Sequence, residues 1–454
     1  MEIINKYLSG TLVPIALFFY SVFFLIKLHG RPIINPLIVI KSIFKKKGEN
    51  GISPIKAVIF ALAGTLGVGN ILGVASAIAL GGAGAVFWMW VSAFFAMILK
   101  YSEVVLAVLH RRTRNGENYG GAMYYMKDFF TSKKKNLIGI IYTFIFSALC
   151  LVNGFTMGSI IQSNAIAKSF ATSGNINALV VGVILAILSI IVFLFNGKKV
   201  FSLCEKLVPF VSILYVAMCL IVVFKSYERV PNVFSEIFKD AFSITAISGG
   251  GVGFLVSNAL RYGTIRGLFS NEAGCGTSPI AHATSNTDSA CEQGFLGIIE
   301  VFIDTIIVCT VTALVILLNK EVAFEFIQEP MIMVFSAFSV SLGNISYILL
   351  SISVFLFAFA TIICWGYYGK ECLYFISKDK KVEKCYYCFY IITVFIGALI
   401  SLDMIWQLAD FAVGVMTLMN LFILGKMNKE IKKETFKYLK KELPQGSSKN
   451  QTIG

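Results

Sequence analysis

Residues 63–70 read AGTLGVGN, inside an apolar stretch that runs from residue 54 to residue 80. Gly64, Gly67 and Gly69, with Thr65 and Asn70, are weak helix formers placed where a buried or membrane helix should be most regular. Backbone that unwinds in hydrocarbon leaves amides and carbonyls unpaired, at a cost of several kcal/mol per group. Such a break persists only where a ligand, an ion or water satisfies those groups. The first N–H groups of a half-helix carry partial positive charge and suit a carboxylate, while free carbonyls suit a cation.

The surrounding composition fixes the environment. The chain has 454 residues, 57% of them hydrophobic and 14% charged, with a mean hydropathy of +0.79. Its separate apolar runs of about 20 residues, each able to cross roughly 30 Å of hydrocarbon, describe an all-α polytopic membrane protein and exclude a soluble globule. The first run, 9–28, ends in FFLIKLHG with no small-residue cleavage motif, so it reads as a retained helix. Ten cysteines lie mostly in apolar segments. The CYYC pair, Cys385 and Cys388, has no second pair or histidine cluster beside it and is expected to be buried as small hydrophobes.

Spans are expected at 9–28, 55–80, 84–109, 136–170, 176–195, 203–224, 235–260, 293–318, 338–376, 386–401 and 404–425, which makes 11. The runs 136–170 and 338–376 exceed one crossing, so tilt or an added surface turn is expected there. Assigned alternately to two sides, the connecting segments place almost every Lys and Arg cluster on one side, including RYGTIRG, KSIFKKKGEN and the tail from residue 426. That side is cytoplasmic by the positive-inside rule. The N-terminus then lies outside and the C-terminus in the cytoplasm of a plasma-membrane protein, the bacterial inner membrane. The net charge of +14 is topological and does not point to nucleic acid. Met427, Ile431, Tyr438 and Leu439 fall on one helical face, which suits an amphipathic helix on an anionic leaflet or a solvated tail.

A second glycine cluster, ISGGGVGF at 247–254, lies in the seventh span. With the N-terminal span set aside, AGTLGVGN is in the first of ten core helices and this cluster in the sixth. Matching breaks in two five-helix halves point to an inverted-repeat transporter. The chain then divides into 1–50 (accessory helix and basic loop), 51–228 (first repeat), 229–425 (second repeat) and 426–454 (basic tail). An amino acid carried with Na⁺ meets the demands of both exposed amides and exposed carbonyls.

Longer motifs add a resemblance. GNILGVASAIALGGAGAVFWMWVSAFFAMILKYSE (69–103), RGLFSNEAGCGTSPIAHA (266–283), MGSIIQSNAIA (157–167) and CWGYYG (364–369) are similar to the signature of the alanine or glycine:cation symporter family, the sodium:alanine symporters. The resemblance implies the five-plus-five inverted repeat of the bacterial leucine transporter, within the APC superfamily. It implies a small neutral amino acid as substrate, Na⁺ as the transported coupling ion, and no prosthetic group. By the same resemblance Val68 and Gly69 offer amides to the substrate carboxylate, and Gln162 is a polar contact from the third core helix. Gly249, Gly250 and Gly251, with Phe254 beside them, give carbonyls to the substrate ammonium, and Trp365 is an aromatic wall. The carbonyls of Ala63 and Leu66, with Ala360 and the Thr361 hydroxyl, make a Na⁺ site, and Thr65 and Asn70 supply a second ion or hold the break. The family's usual Gly-Thr-Gly-Asn and Ser-Thr are here Gly67-Val68-Gly69-Asn70 and Ala360-Thr361, so substrate choice and ion stoichiometry are where this chain departs.

Among other polar residues, Lys100 and Glu103 are one turn apart and are expected to form a local pair at an inner gate. Asp304 is an intramembrane carboxylate, hence either a partner for Lys100 or a proton-linked group. Glu272 is expected in a cytoplasmic loop or gate, and His282 in a structural role. No convergent nucleophile, metal or paired-carboxylate constellation supports an enzyme. A channel ring needs oligomer symmetry, whereas paired internal breaks suit a monomeric carrier in the lipid bilayer. The competing reading is a proton-coupled carrier or an exchanger of the same fold, for serine or glutamine.

Overall fold

Ser53 begins the first core helix: its hydroxyl accepts from Lys56 N at 3.3 Å and Pro54 follows at the first helical position. That helix, α2 (Pro54–Thr65), is preceded by α1 (Ile3–Lys27) and followed by α3 (Gly69–Gly81), whose axis turns 55° from that of α2. The computed structural model describes residues 1–34, 39–40, 42, 51–194, 197–242 and 258–442. A turn at Gly82 (φ +74°) leads to α4 (Gly84–Leu109).

A short hairpin, β1 (Arg112–Arg114) and β2 (Glu117–Tyr119), turns through Asn115 and Gly116, both at positive φ. The chain continues through α5 (Ala122–Ser132), α6 (Asn136–Gly174), α7 (Ala178–Phe193), α8 (Gly197–Lys225) and α9 (Val230–Ala241). Then come α10 (Asn258–Asn271), the single turn α11 (Pro279–His282), α12 (Ala290–Leu318) and α13 (Pro330–Leu342). The last four are α14 (Ile345–Ile376), α15 (Lys380–Gly397), α16 (Asp403–Lys426) and α17 (Asn428–Glu442). Among the described residues seven helices are long and apolar enough to cross a membrane, eight if the bent pair α2–α3 is one span. The run 338–376 contains the surface turn its length requires, at Gly343 (φ +64°).

Of the expected crossing at 235–260, the described residues 235–242 and 258–260 belong to two different helices, α9 and α10. α9 buries only Val233, Ile237 and Ala241, a stripe at i, i+4, i+8, so it is a surface helix. Its end is fastened to the start of α4: Gly84 N donates to Asp240 Oδ2 at 2.7 Å, and Trp88 Nε1 to Ala241 O at 3.1 Å. Asn258 stands at that same end, its carbonyl 3.0 Å from where a Cβ on Gly81 would be. Both ends of the intervening stretch therefore meet one end of α4. The glycine cluster at 247–254, with Gly249, Gly250, Gly251 and Phe254, lies outside the described residues. RYGTIRG is not a loop; it is the body of α10, packed along α4 where Gly263 meets Ala85 and Gly267 meets Ser92.

The tail differs too. α17 buries Ile431, Thr435, Tyr438 and Leu439 against the protein itself and not against a lipid leaflet. Thr435 Oγ1 is 3.0 Å from Tyr101 Oη, and the Tyr438 ring lies 5.7 Å from Phe295. A partly polar face that ends in a threonine and a tyrosine hydroxyl finds better partners on protein than in acyl chains. Cys385 and Cys388 are both exposed, on the face of α15 that also presents Phe389 and Ile392. That outward apolar face is what a bilayer-contacting helix presents.

His110, just past α4, holds Asp128 (2.8 Å) through Nδ1 and Glu430 of α17 (3.0 Å) through Nε2. Burial opposes its charge, but the hydrogen bonds and charges of Asp128 and Glu430 outweigh this and raise its pKa to about 9. Because the folded value is raised, the contribution is complete below the ordinary histidine range and is lost as pH rises through about 9. We expect the protection factors of the α17 amides, corrected for the intrinsic base-catalysed rate, to be lower at pH 10 than at pH 7, and His110→Gln to remove that difference. Equal protection factors at both pH values in the unaltered protein would show that His110 does not fasten the tail.

Candidate functional site

The first break is the joint between α2 and α3. Helical bonding ends with Leu66 N on Leu62 O and Gly67 N on Thr65 O, and α3 opens on a wide π turn, Gly69–Gly73. At the joint Val68 N donates to Gln162 Oε1 at 3.3 Å, while Gln162 Nε2 donates to Met157 O at 3.1 Å. Gln162 follows directly on a second wide turn, Thr156–Ile160, in α6. Wide turns of this kind recur at functional sites because they free backbone groups and redirect side chains. Gly67 must lack a side chain: a Cβ there would stand 2.8 Å from Thr361 Oγ1 and 3.1 Å from Gln162 Oε1.

On the other side of the joint, the Thr361 hydroxyl of α14 donates to Ala63 O at 2.9 Å and to Phe357 O at 3.1 Å. Ala63 and Leu66 lie at the carbonyl end of α2, where the last carbonyls have no helical partner. Ala360 and Trp365 are buried on the same helix. The hydroxyl of Thr65 and the Oδ1 of Asn70 are buried with no hydrogen-bond partner among the described residues. Of the residues expected from sequence, Ala63, Thr65, Leu66, Val68, Gly69, Asn70, Gln162, Ala360 and Thr361 thus converge on one joint.

Asn70 reaches further. Its Nδ2 donates to Asp304 Oδ1 (2.8 Å) and Ser270 Oγ (2.9 Å), and Ser270 Oγ donates to Asp304 Oδ2 (2.7 Å). Thr305 Oγ1 adds a bond to Asp304 Oδ2 at 2.8 Å. Asp304 sits on a third π segment, Phe302–Cys309 of α12. It is not the partner of Lys100, whose ammonium lies 3.3 Å from Glu300 Oε1 and 3.8 Å from Glu103 Oε1. The expected Lys100–Glu103 pair is there, but Glu300 is nearer. His282 takes the structural role expected: Gln293 Nε2 donates to its Nδ1 at 2.8 Å, which leaves Nε2–H for Glu300 Oε2 at 2.7 Å.

A second break is visible where the sequence suggested a cytoplasmic loop. Between α10 and α11, residues 272–278 leave helical geometry, with positive φ at Glu272 (+51°), Gly274 (+80°) and Gly276 (+81°). Glu272 is 5% exposed and accepts from Thr277 Oγ1 at 2.7 Å. Side chains hold the unwound backbone: Asn420 Nδ2 donates to Gly274 O at 2.9 Å, and Gly276 N donates to Glu103 Oε2 at 3.2 Å. Because Ser270, one turn earlier, touches Asn70, this second break faces the first. Its signal in the sequence was the string NEAGCGTSP, with two glycines and a proline in nine residues. A glutamate beside two arginine-bearing turns hid it. A cavity of about 10 Å³ lies among the second break, α6, α14 and α16, lined by Glu272, Thr277, Cys275, Met157, Asn153 and Trp365 among others.

Residues 1–452 match the sodium:alanine symporter family. The sodium/alanine symporter AgcS of Methanococcus maripaludis is 33% identical over 439 residues, 95% of this chain and 95% of that protein. A probable sodium/glutamine symporter, GlnT of Bacillus subtilis, is 31% identical over 433 residues, 94% of this chain and 88% of that protein. In fold, the chain is similar to a Na⁺-coupled sialic acid symporter in its substrate-bound outward-open state. There the TM-score is 0.53 at 12% identity, covering 93% of this chain and 86% of that one. A match along nearly the whole length, with the broken helix and its polar partners in place, leads to one assignment: this chain is a member of the sodium:alanine symporter family.

Proposed function

We propose that the protein imports a small neutral amino acid, alanine or glycine, together with Na⁺, by alternating access around the joint of α2 and α3. The observation that carries this reading is the Thr361 hydroxyl set 2.9 Å from Ala63 O at the carbonyl end of a broken helix. An oxygen pair at a helix C-terminus, where the dipole is negative, suits a monovalent cation. The carbonyls of Ala63 and Leu66, with Ala360 and Thr361, would hold that Na⁺. Val68 and Gly69 present amides at the start of α3, and Gln162 Oε1 now takes the bond a substrate carboxylate would take. Trp365 walls the side-chain pocket, and Gly249, Gly250 and Gly251 with Phe254 stay candidate substrate contacts.

The same reading makes eleven crossings with a five-plus-five repeat, 51–228 and 229–425, in which α10 and α11 supply the second repeat's broken helix. It places the N-terminus outside, the tail inside the cell, and one chain as the transport unit. The expected result is uptake of labelled alanine or glycine into proteoliposomes only under an inward Na⁺ gradient. Thr361→Val, which keeps shape but removes the hydroxyl, should raise the Na⁺ concentration for half-maximal uptake about tenfold, the effect of roughly one lost ligand bond. Equal uptake in choline with only a pH gradient would refute Na⁺ coupling. It would favour the second reading, a proton-coupled carrier or exchanger, for which the buried Asp304 carboxylate is the specific observation. In Na⁺ symport, Asp304 with Asn70 and Thr65 supplies a second cation position.

A further inference from the structure

Four carboxylates are buried around the two breaks: two of them, Glu300 and Glu103, lie beside the Lys100 ammonium, and a third, Asp304, takes three side-chain donors. Glu300 is held by Lys100, His282 and Ser278, whose hydroxyl reaches both oxygens at 3.1 and 3.0 Å. Glu103 takes Gly276 N and Asn420 Nδ2 on Oε2, while its Oε1 makes no hydrogen bond among the described residues and faces the Lys100 charge at 3.8 Å. Asp304 takes Asn70, Ser270 and Thr305. Glu272 differs. Its carboxylate receives the Thr277 hydroxyl, and among the described residues no Lys, Arg or His forms an ion pair with it.

Three further observations say what the free capacity of Glu272 is for. The residue adopts φ +51°, a conformation that glycine or asparagine takes far more readily and that costs a residue such as glutamate energy. Glu272 lines the cavity beside the second break, as does Trp365. And Met157, on the rim of that cavity, gives its carbonyl to Gln162, the residue that occupies the Val68 amide. The first break thus offers amides suited to a carboxylate, and the second offers a carboxylate with no ion-pair partner among the described residues. The cavity of about 10 Å³ has room for a group the size of a single water, which is also the size of an ammonium group.

We propose that the Glu272 carboxylate receives the ammonium group of the transported amino acid, with Thr277 orienting it and Trp365 closing the pocket. This assignment rests on the amino-acid symport reading above. It gives the site a requirement for a zwitterion: the Val68 and Gly69 amides at one end and Glu272 at the other are matched only by a ligand carrying both charges. A ligand with a hydroxyl in place of the ammonium leaves the buried carboxylate without a cation and is rejected.

The test is equilibrium binding of labelled alanine to the purified full-length protein in Na⁺, with lactate as the analogue lacking the ammonium. Thermal stabilisation by Na⁺ alone is measured in parallel. Glu272→Gln should weaken alanine binding about 30-fold, narrow the preference for alanine over lactate, and leave stabilisation by Na⁺ intact. Glu272→Asp, one methylene shorter, should fall between the two and serves if the glutamine variant does not fold. Alanine affinity equal to wild type in either variant overturns the assignment. So does loss of Na⁺ stabilisation in the amino-acid-free protein, which would make Glu272 a ligand of the coupling ion. Failure of the symport reading is recognised separately, because unaltered protein would then show no Na⁺-dependent binding of alanine, glycine or serine.

Discussion

Gly158→Ala should abolish amino-acid binding and lower the melting temperature together. Gly158 lies in the wide turn of α6, and a Cβ added there would clash with Trp365 Cβ and stand 2.6 Å from Trp365 Cγ. No rotamer of Trp365 relieves a clash at its own Cβ, so α6 and α14 must separate or the indole must leave the cavity. Overpacking of this kind costs about 1–3 kcal/mol when a core can adjust. Here it adjusts at the position that sets Gln162 and the pocket wall. Trp365→Phe separates the two effects, since it shortens the ring and leaves the backbone contact alone. We expect Trp365→Phe to change which amino acids bind with little loss of stability, and Gly158→Ala to lose both. If Gly158→Ala melts like the unaltered protein and binds alanine normally, α6 and α14 are not packed as described.

The contrast between the two breaks shows what a sequence reveals of such a site. AGTLGVGN is legible because glycine, threonine and asparagine interrupt an otherwise apolar run, and no other use of that run competes. Residues 272–278 also carry turn-forming residues, but Arg261, Arg266 and Glu272 give the neighbourhood the composition of a loop. Hydropathy cannot tell a charge in water from a charge met by a buried partner. Arg266 lies over Trp406, 5.8 Å from the ring centre, and Glu272 meets Thr277. The same limitation hid the link between Asn70 and Asp304, which are 234 residues apart and joined by a 2.8 Å bond. In the tail, periodicity gave the buried face of α17 but not its partner. A stripe of Ile431, Thr435 and Tyr438 fits a membrane surface and a protein surface equally well until Tyr101 and Phe295 are seen beneath it.

Lys100→Met should be the most destabilising single change away from the pocket, by about 3–5 kcal/mol, the usual effect of removing one partner from a buried ion pair. Lys100 is fully buried on α4 and faces Glu300 of α12 and Glu103 one turn along its own helix. Through Glu300 the same network takes in His282 and Ser278 at α11, and through Glu103 it takes in Gly276 and Asn420. One ammonium therefore balances carboxylates that hold α4, α11, α12 and α16 together beneath the second break. Without it, two carboxylates are left in low dielectric with hydrogen bonds but no cation. The double variant Lys100→Met with Glu300→Gln restores charge balance, and Gln still accepts from His282 Nε2–H. It should melt above Lys100→Met alone, although it carries one more substitution. That ordering is the diagnostic, because two independent losses would add and the double variant would melt lowest. Additive losses would mean that Lys100 contributes packing and not charge. The expected recovery would identify the network as the clamp that keeps these helices moving as one body while the joint of α2 and α3 opens and closes.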